Sequence, residues 1–294
     1  MKVAAIINPI SGAGADVHAA ERRAAMVREA LDRRGLRGQI DFTTSAGHAH
    51  RLARRAADDR SDLVIVWGGD GTVNEVGAAL LDTATALGLV PAGSGNGLAA
   101  SLCCHRGPRE AIAAALDGTT RAIDAGLLNR RPFFNIAGIG VDARVARLFN
   151  LRGRGARGLW PYVLLGLREA YRYAALDYEI ELDGARTSVR ALLIAFANGR
   201  EYGNGMTLCA QAELDDGVLD ATIIEDRPVV SRLLHARHLA RGGAEGAPRV
   251  VTRKIHHAVV RAPGMMEYHV DGEPGSADGV IEIEVRPGAL KVRG

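Results

Sequence analysis

Aromatic side chains make up only 4% of the 294 residues, although hydrophobic residues make up 47%. The cores must therefore be built from Ala, Leu, Val and Ile, and no pattern of aromatics interleaved with basic residues supports stacking on nucleic acid. Charge of one sign is also scarce. The 37 Lys and Arg against 34 Asp and Glu leave a net +3, a mild basicity that suits an anionic substrate or a membrane surface and is too weak to argue for nucleic acid. Cysteines number three, Cys103, Cys104 and Cys209. An odd count with a vicinal pair and no Cys-x-x-Cys spacing excludes a disulfide framework and a zinc site, and points to a reducing, cytoplasmic setting. No signal peptide is read at the start, because MKVAAIIN has the pattern of a strand. The uncharged stretch Thr83–Cys104 is broken by Gly88, Pro91, Gly93, Gly95 and Gly97 and cannot be a membrane helix. Repeats, low-complexity tracts and long linkers are absent. The length then favours two tightly joined domains with a cleft between them.

What is present centres on Leu63–Leu102. Leu63–Trp67 is wholly apolar and reads as a strand buried on both faces. Gly68-Gly69-Asp70-Gly71 follows at once, and Thr72 opens a helical pattern with Val73, Val76, Ala79 and Leu80 on one face. Leu87–Pro91, Gly93-Ser94-Gly95-Asn96-Gly97 and Leu98–Cys104 repeat the strand, glycine turn and helix. Glycines let the backbone approach a ligand closely, and the N-terminus of the following helix favours phosphate. Two such turns from successive strands face the crevice where open α/β sheets bind ligands.

Around this stretch the chain alternates strand and helix. Val3–Ile7 is a strand ending in Asn8-Pro9-Ile10-Ser11-Gly12-Ala13-Gly14, either a nucleotide-contacting loop or an ordinary turn, before a helix over Asp16–Arg34. Gln39–Thr43 is a strand, and a Thr or Ser of Thr43-Thr44-Ser45 should cap the helix that ends near Asp58, with His48 and His50 in solvent. After a helix over Pro108–Leu116 and a strand over Arg121–Leu128, a doubly wound sheet is complete. The arginines between Arg144 and Arg157 are either a solvated charge run or a phosphate clamp. Pro161 opens a helix with Val163, Leu164, Leu167, Ala170 and Tyr171 on one face, either core or the wall of an apolar cleft. Strands then dominate: Tyr178–Leu182, Val189–Ala197, Val218–Ile224, Ile255–Arg261, Glu267–Val270 and Val280–Val285, with one helical insert at Val229–Arg241. This predicts a mostly antiparallel sandwich or barrel.

Three carboxylate sites carry chemistry. Asp70 sits between glycines at a helix N-terminus, which favours negative charge. Asp215-Asp216-Gly217 precedes a strand and is either a hairpin turn or part of a divalent-ion site. Asp271-Gly272-Glu273 is the third, and a surface turn is the plain alternative.

In order and spacing, NPISGAG, GGDGTVNEV, PAGSGNGLAASL, NIAGIGVDA, ELDDGVLDATII and HVDGE resemble the diacylglycerol kinase catalytic-domain family, which includes sphingosine kinases, ceramide kinases and bacterial soluble lipid kinases. The resemblance covers essentially the whole chain. It implies an N-terminal doubly wound α/β nucleotide domain like that of phosphofructokinases and NAD kinases (1–124) and a C-terminal antiparallel β-sandwich (125–286). It also implies a tail (287–294) that returns to the first domain through Ala289–Val292. Carried over, Asn8, Ser11, Thr43, Gly68, Gly69, Gly71, Thr72, Ser94 and Gly95 would touch ATP and Arg157 would lie near its γ-phosphate. Asp70 or Glu273 would be the general base. Asp142 would hold the lipid head, and Asp216 with backbone oxygens of Glu213 and Val218 would bind Mg²⁺. The chain departs from the family in lacking a Lys or Arg directly after Ser11-Gly12, the next basic residue being Arg22.

The resemblance thus implies a kinase that moves the γ-phosphoryl group of ATP, with Mg²⁺, to a hydroxyl of diacylglycerol or a sphingoid-base-like lipid. A kinase of a soluble acceptor such as NAD, or a catalytically silent nucleotide- or lipid-binding module, is the alternative. The expected partners are a lipid substrate and a transiently met membrane surface, peripheral at the inner face, with each nearby Lys or Arg adding ~1 kcal/mol. The acceptor and the oligomeric state are not set by the sequence, and a homodimer stays open.

Overall fold

Val3–Ile7 is apolar at every position and forms β1, buried throughout. In the computed structural model, which describes residues 1–12, 18–104, 107–151, 165–166, 168–169, 171–201, 207–226, 228 and 249–294, the chain divides into two units. One comprises Met1–Ile123 with Gly288–Gly294, the other Asp124–Pro287.

In the first unit strands and helices alternate as α1 (Ala19–Asp32), β2 (Gly38–Phe42), α2 (His48–Asp58), β3 (Leu63–Gly68), α3 (Asp70–Leu80), β4 (Ala86–Pro91), α4 (Gly97–Ser101) and α5 (Pro108–Asp117). The strands lie parallel in the order β4-β3-β1-β2, with Ile7 beside both Phe42 and Trp67, and Trp67 beside Val90. Four strand ends therefore share one rim. Because β2 and β3 flank β1 on opposite sides, the order reverses between β1 and β3, and that switch point is where such sheets accept ligands. Helices cover both faces. Ala24, Val27 and Leu31 of α1 and Ala111, Ile112, Ala115 and Leu116 of α5 share a core with Val3, Ile65 and Trp67. Leu52 and Ala53 of α2 and Val76 and Leu80 of α3 are buried where those two helices pack together.

β5 (Thr120–Leu128) leads into the second unit, which holds β6 (Arg131–Phe133), β7 (Ile136–Gly140), α6 (Val141–Leu151), β8 (Leu176–Leu182), β9 (Ala185–Ala197), β10 (Leu219–Glu225), β11 (Val250–Ile255) and β12 (His257–Val270). The last strand, β13 (Glu273–Arg293), begins here. The strands β11-β10-β9-β7-β12-β13 pair antiparallel in that order, with β8 also joined antiparallel to β9 and β12. The main core is aliphatic, with Phe133, Phe196, Tyr178 and Tyr268 as its large members. A smaller one gathers Ile136, Leu192, Ala195, Leu208 and Cys209. The N-terminal α/β unit and the C-terminal β-sandwich are the architecture expected. β13 then runs on into the first unit, where Val292 lies parallel beside Leu87 of β4.

Several local expectations are corrected. β12 is one strand, not two, because Pro263-Gly264 makes a bulge, with Gly264 at φ +76°, instead of a break. β13 is likewise continuous over 21 residues, with Gly279 and Gly288 at positive φ inside it. β11 was not foreseen, because it is an edge strand in which only Ile255 is buried and no alternating buried face marks it. α3 begins at Asp70, two residues before Thr72. Tyr171, read as core or as the wall of an apolar cleft, is 61% exposed and is not core, while Leu165 and Glu169 are buried. Val163, Leu164, Leu167, Ala170 and the insert Val229–Arg241 lie outside the described residues. Among the described residues no helix is long and apolar enough to cross a membrane.

Candidate active site

Three loops meet beyond the rim of the parallel sheet. The turn after β3 and the turn after β4 touch backbone to backbone: a Cβ on Gly93 would lie 2.8 Å from the Cα of Gly69, and one on Gly69 3.1 Å from the Cα of Gly93. Glycine at both positions permits this close approach of the two backbones. The loop after β1 joins them through Gly12, at φ +81°, where a Cβ would meet the Ala92 carbonyl oxygen at 2.6 Å.

Asp70 ties the two glycine turns together. Its Oδ2 accepts the Asn96 N–H and its Oδ1 the Gly97 N–H, both at 2.8 Å. Asn96 staples its own turn, its side chain accepting from Gly93 N–H at 2.7 Å and donating to Gly93 O at 2.8 Å. Burial pushes the Asp70 carboxyl above the ordinary carboxylate range, against the opposing pull of these N–H donors. Asn8 donates from Nδ2 to Thr72 Oγ1 at 2.9 Å, so the first and second loops are linked as well. Thr43, at the end of β2, donates its N–H to Ile7 O. Ser94 is exposed at the tip of the second turn. The structure thus gathers Asn8, Ser11, Gly68, Gly69, Asp70, Gly71, Thr72, Ser94 and Gly95 on one end of one sheet, with Thr43 on the same rim. Bare glycine backbone at a switch point, with α3 starting on it, fits a nucleotide's phosphates.

Two residues that sequence reasoning missed build this rim. Arg23, on α1, donates to Asn8 O at 2.6 Å, Ser11 Oγ at 3.1 Å and Ser11 O at 2.7 Å, and its guanidinium stacks 5.5 Å from the Trp67 ring centroid. The cation missing after Ser11-Gly12 therefore arrives from the next helix. Burial, with Arg22 nearby, lowers the Arg23 pKa from its usual value. Glu75 of α3 accepts N–H groups of Gly47 (2.8 Å), Ala49 (3.1 Å) and His50 (3.4 Å). It caps α2 in place of the expected Thr or Ser. The N-cap is Gly47 in the left-handed region, and Thr44 instead pairs with His48 Nδ1.

In the second unit Asp142 lies in the first turn of α6 and is buried. Its Oδ1 accepts the Ala143 N–H at 2.7 Å, and its Oδ2 lies 3.1 Å from His269 Nε2. His269 Nδ1 accepts the Gly272 N–H at 3.3 Å, which leaves the proton on Nε2 to face Asp142. A Cβ at Gly138 would run into both side chains. Asp271 accepts the N–H groups of Phe134, Asn135 and Ile136 at 2.9–3.1 Å and is a backbone clamp. Glu273, two residues on, is exposed. Of the basic segment, Arg144 pairs with buried Glu169 and Arg147 with Glu267, while Arg152, Arg154 and Arg157 lie outside the described residues.

The loop of Asp216 is held by Asp124, whose N–H donates to Leu214 O at 2.6 Å and whose Oδ2 accepts from Gly217 N–H at 2.7 Å. Asp216 Oδ1 accepts the Val218 N–H at 3.3 Å, and its Oδ2 is in contact with the Lys254 ammonium. Glu213 is exposed and Val218 half-buried. Among the described residues no three His, Cys, Asp or Glu side chains are grouped to hold a metal. A divalent ion does not fit this donor set, because an ammonium already stands on the carboxylate.

Residues 2–128 match the family model "Diacylglycerol kinase catalytic domain" and residues 135–294 the model "YegS C-terminal NAD kinase beta sandwich-like domain". A probable lipid kinase YegS-like of Cronobacter sakazakii is 32% identical, over 87% of this chain and 85% of that protein. A diacylglycerol kinase of Mycobacterium tuberculosis is 32% identical, over 99% and 94%. The crystal structure of a diacylglycerol kinase from Bacillus anthracis superposes with a TM-score of 0.76 at 21% identity, covering 99% of this chain and 96% of that one. An NAD kinase from Archaeoglobus fulgidus in complex with ATP superposes at 0.57 with 14% identity, covering 100% and 94%. At those identities the two structures speak for the fold alone. The sequence matches speak for descent: the chain belongs to the diacylglycerol kinase catalytic-domain family of lipid kinases.

Proposed function

We propose that the protein transfers the γ-phosphoryl group of Mg·ATP to a hydroxyl of diacylglycerol or a sphingoid-base-like lipid. The observation that carries this reading is the pair of glycine turns in backbone contact at the sheet's switch point, latched by Asp70. Such a cradle suits phosphoryl transfer, which asks for positioning and charge neutralisation. ATP supplies the phosphoryl group, and the Mg²⁺ travelling with it offsets phosphate charge. Peptide groups of Gly68, Gly69, Gly71 and Gly95 hold the phosphates, Thr72, Ser94 and Thr43 line the rim, and Arg23 keeps Asn8 and Ser11 in place. As the acceptor oxygen bonds to the γ-phosphorus and the bond to the β-phosphate oxygen breaks, a carboxylate takes the hydroxyl proton. Asp70 suits that role because burial raises its basicity; exposed Glu273 is the other candidate. Asp142, oriented by His269, is assigned to the lipid head, and Arg157 to the γ-phosphate. The protein works in the cytoplasm and meets its lipid at the inner membrane face.

The test is transfer of label from γ-labelled ATP to a panel of diacylglycerol, monoacylglycerol, sphingosine, ceramide, phosphatidylglycerol and NAD, with and without Mg²⁺. A Mg²⁺-dependent labelled lipid is expected. Label on NAD alone would make the protein a kinase of a soluble acceptor, and ATP binding without label anywhere would make it a silent binding module.

A further inference from the structure

The corner at Asp216 calls for a positive charge, and the chain brings its own. Lys254 stands on β11 directly opposite Asp220 on β10 in the antiparallel register. From there its ammonium reaches Asp216 Oδ2 and lies 3.8 Å from Asp220 Oδ2. Asp124 holds the Asp216 loop at Leu214 and Gly217, and the Val218 N–H donates to Asp216 Oδ1 at 3.3 Å. We propose that Lys254 takes the place of the divalent cation expected at Asp216, so that this corner of the β-sandwich is neutralised internally and holds no metal of its own.

The residue type supports this. Of 37 basic residues only Lys2, Lys254 and Lys291 are lysines. An ammonium is a compact point charge with three donors, whereas a guanidinium is a planar fork. Three donors can serve oxygens converging from several directions, as a small cation would. Mg²⁺ in turn demands near-octahedral oxygen coordination and is repelled by an ammonium sharing its one charged ligand. The side chain is placed by sheet register, so the neutralisation is built in with the fold. Any Mg²⁺ requirement of the reaction then belongs to the nucleotide. The inference is independent of the acceptor and of turnover, and failure of the kinase reading would leave it standing.

The test uses the full chain without nucleotide, with Mn²⁺ as probe counted by electron paramagnetic resonance and the melting midpoint followed against Mg²⁺. Wild type and Asp216→Asn should bind the same number of Mn²⁺ ions, and Mg²⁺ should leave both midpoints unmoved. Lys254→Met, which keeps the aliphatic stem, should gain one Mn²⁺ equivalent and a midpoint that rises with Mg²⁺; adding Asp216→Asn to it should abolish both. Wild type binding one Mn²⁺ that Asp216→Asn removes would overturn the proposal. So would a cooperatively melting Lys254→Met that gains none. The comparison of wild type with Asp216→Asn decides the matter even where Lys254→Met does not fold.

Discussion

Asp70 spends both carboxylate oxygens on backbone N–H groups, from Asn96 and Gly97. Asp70→Asn keeps the shape but turns an acceptor into a donor facing an N–H. It should therefore cost about 1–3 kcal/mol of stability as well as most of the turnover, read as a lower melting midpoint beside kcat. A variant with near-normal kcat would remove Asp70 as the base. The pH dependence has a definite sign. Burial raises the Asp70 carboxyl above its ordinary value of 3.8, so its contribution to stability is full below that value and is lost as pH rises through the folded pKa. Catalysis by the ionised form runs the other way: the acid limb of kcat/KM should lie above the ordinary carboxylate range and disappear in Asp70→Asn. Arg23 gives a different signature. It touches the loop of Asn8 and Ser11 through charge-assisted hydrogen bonds. Arg23→Ala should raise KM for ATP about tenfold or more, equivalent to the ~1.5–3 kcal/mol of a hydrogen bond to a charged group, with a smaller change in kcat. An unchanged KM would show the loop to be held by other contacts.

At the scale of elements, the two glycine turns form one joint. Gly93→Ala puts a methyl 2.8 Å from the Gly69 Cα, and neither backbone can move without breaking the Asp70 latch. A cost of about 1–3 kcal/mol, typical of overpacking, is expected, with a larger loss of ATP binding by calorimetry than of stability. Equal affinity in the variant would disprove that the joint shapes the nucleotide site. This joint was legible in the sequence as two Gly-rich turns after buried strands, because such turns carry a local signature in φ freedom and strand pattern. Its fastening was not. Arg23, Glu75 and Asp124 act at sequence separations of 12 or more, and nothing local distinguishes a latching Glu75 from any helical glutamate.

For the whole molecule, the first unit draws on both ends of the chain. Leu290 and Val292 of β13 are buried in it, Val292 beside Leu87, and Arg293 donates to Gly118 O at 2.9 Å. Ending the chain at Pro287 removes the buried Leu290 and Val292 side chains, worth about 1.5–3 kcal/mol each, and leaves β4 with an open edge. The expected result is faster amide hydrogen exchange across β3 and β4 and a lower melting midpoint, with the exchange of β8 and β9 unchanged. Unaltered exchange in β4 would show that the tail adds nothing to that unit.

The sequence by itself determined the strand–helix alternation, the sandwich that follows it, the glycine turns and the family. All of these rest on local periodicity, backbone freedom and short motifs read within a few residues. Tertiary structure decided which charges meet. Register alone sets Lys254 against Asp220 and within reach of Asp216, and the folding of α1 onto the loop after β1 brings Arg23 to Ser11. Likewise, His269 meets Asp142 only because β12 pairs with β7. A side chain's partner depends on strand register and helix docking, which are products of the whole core, and no local stretch of sequence contains them.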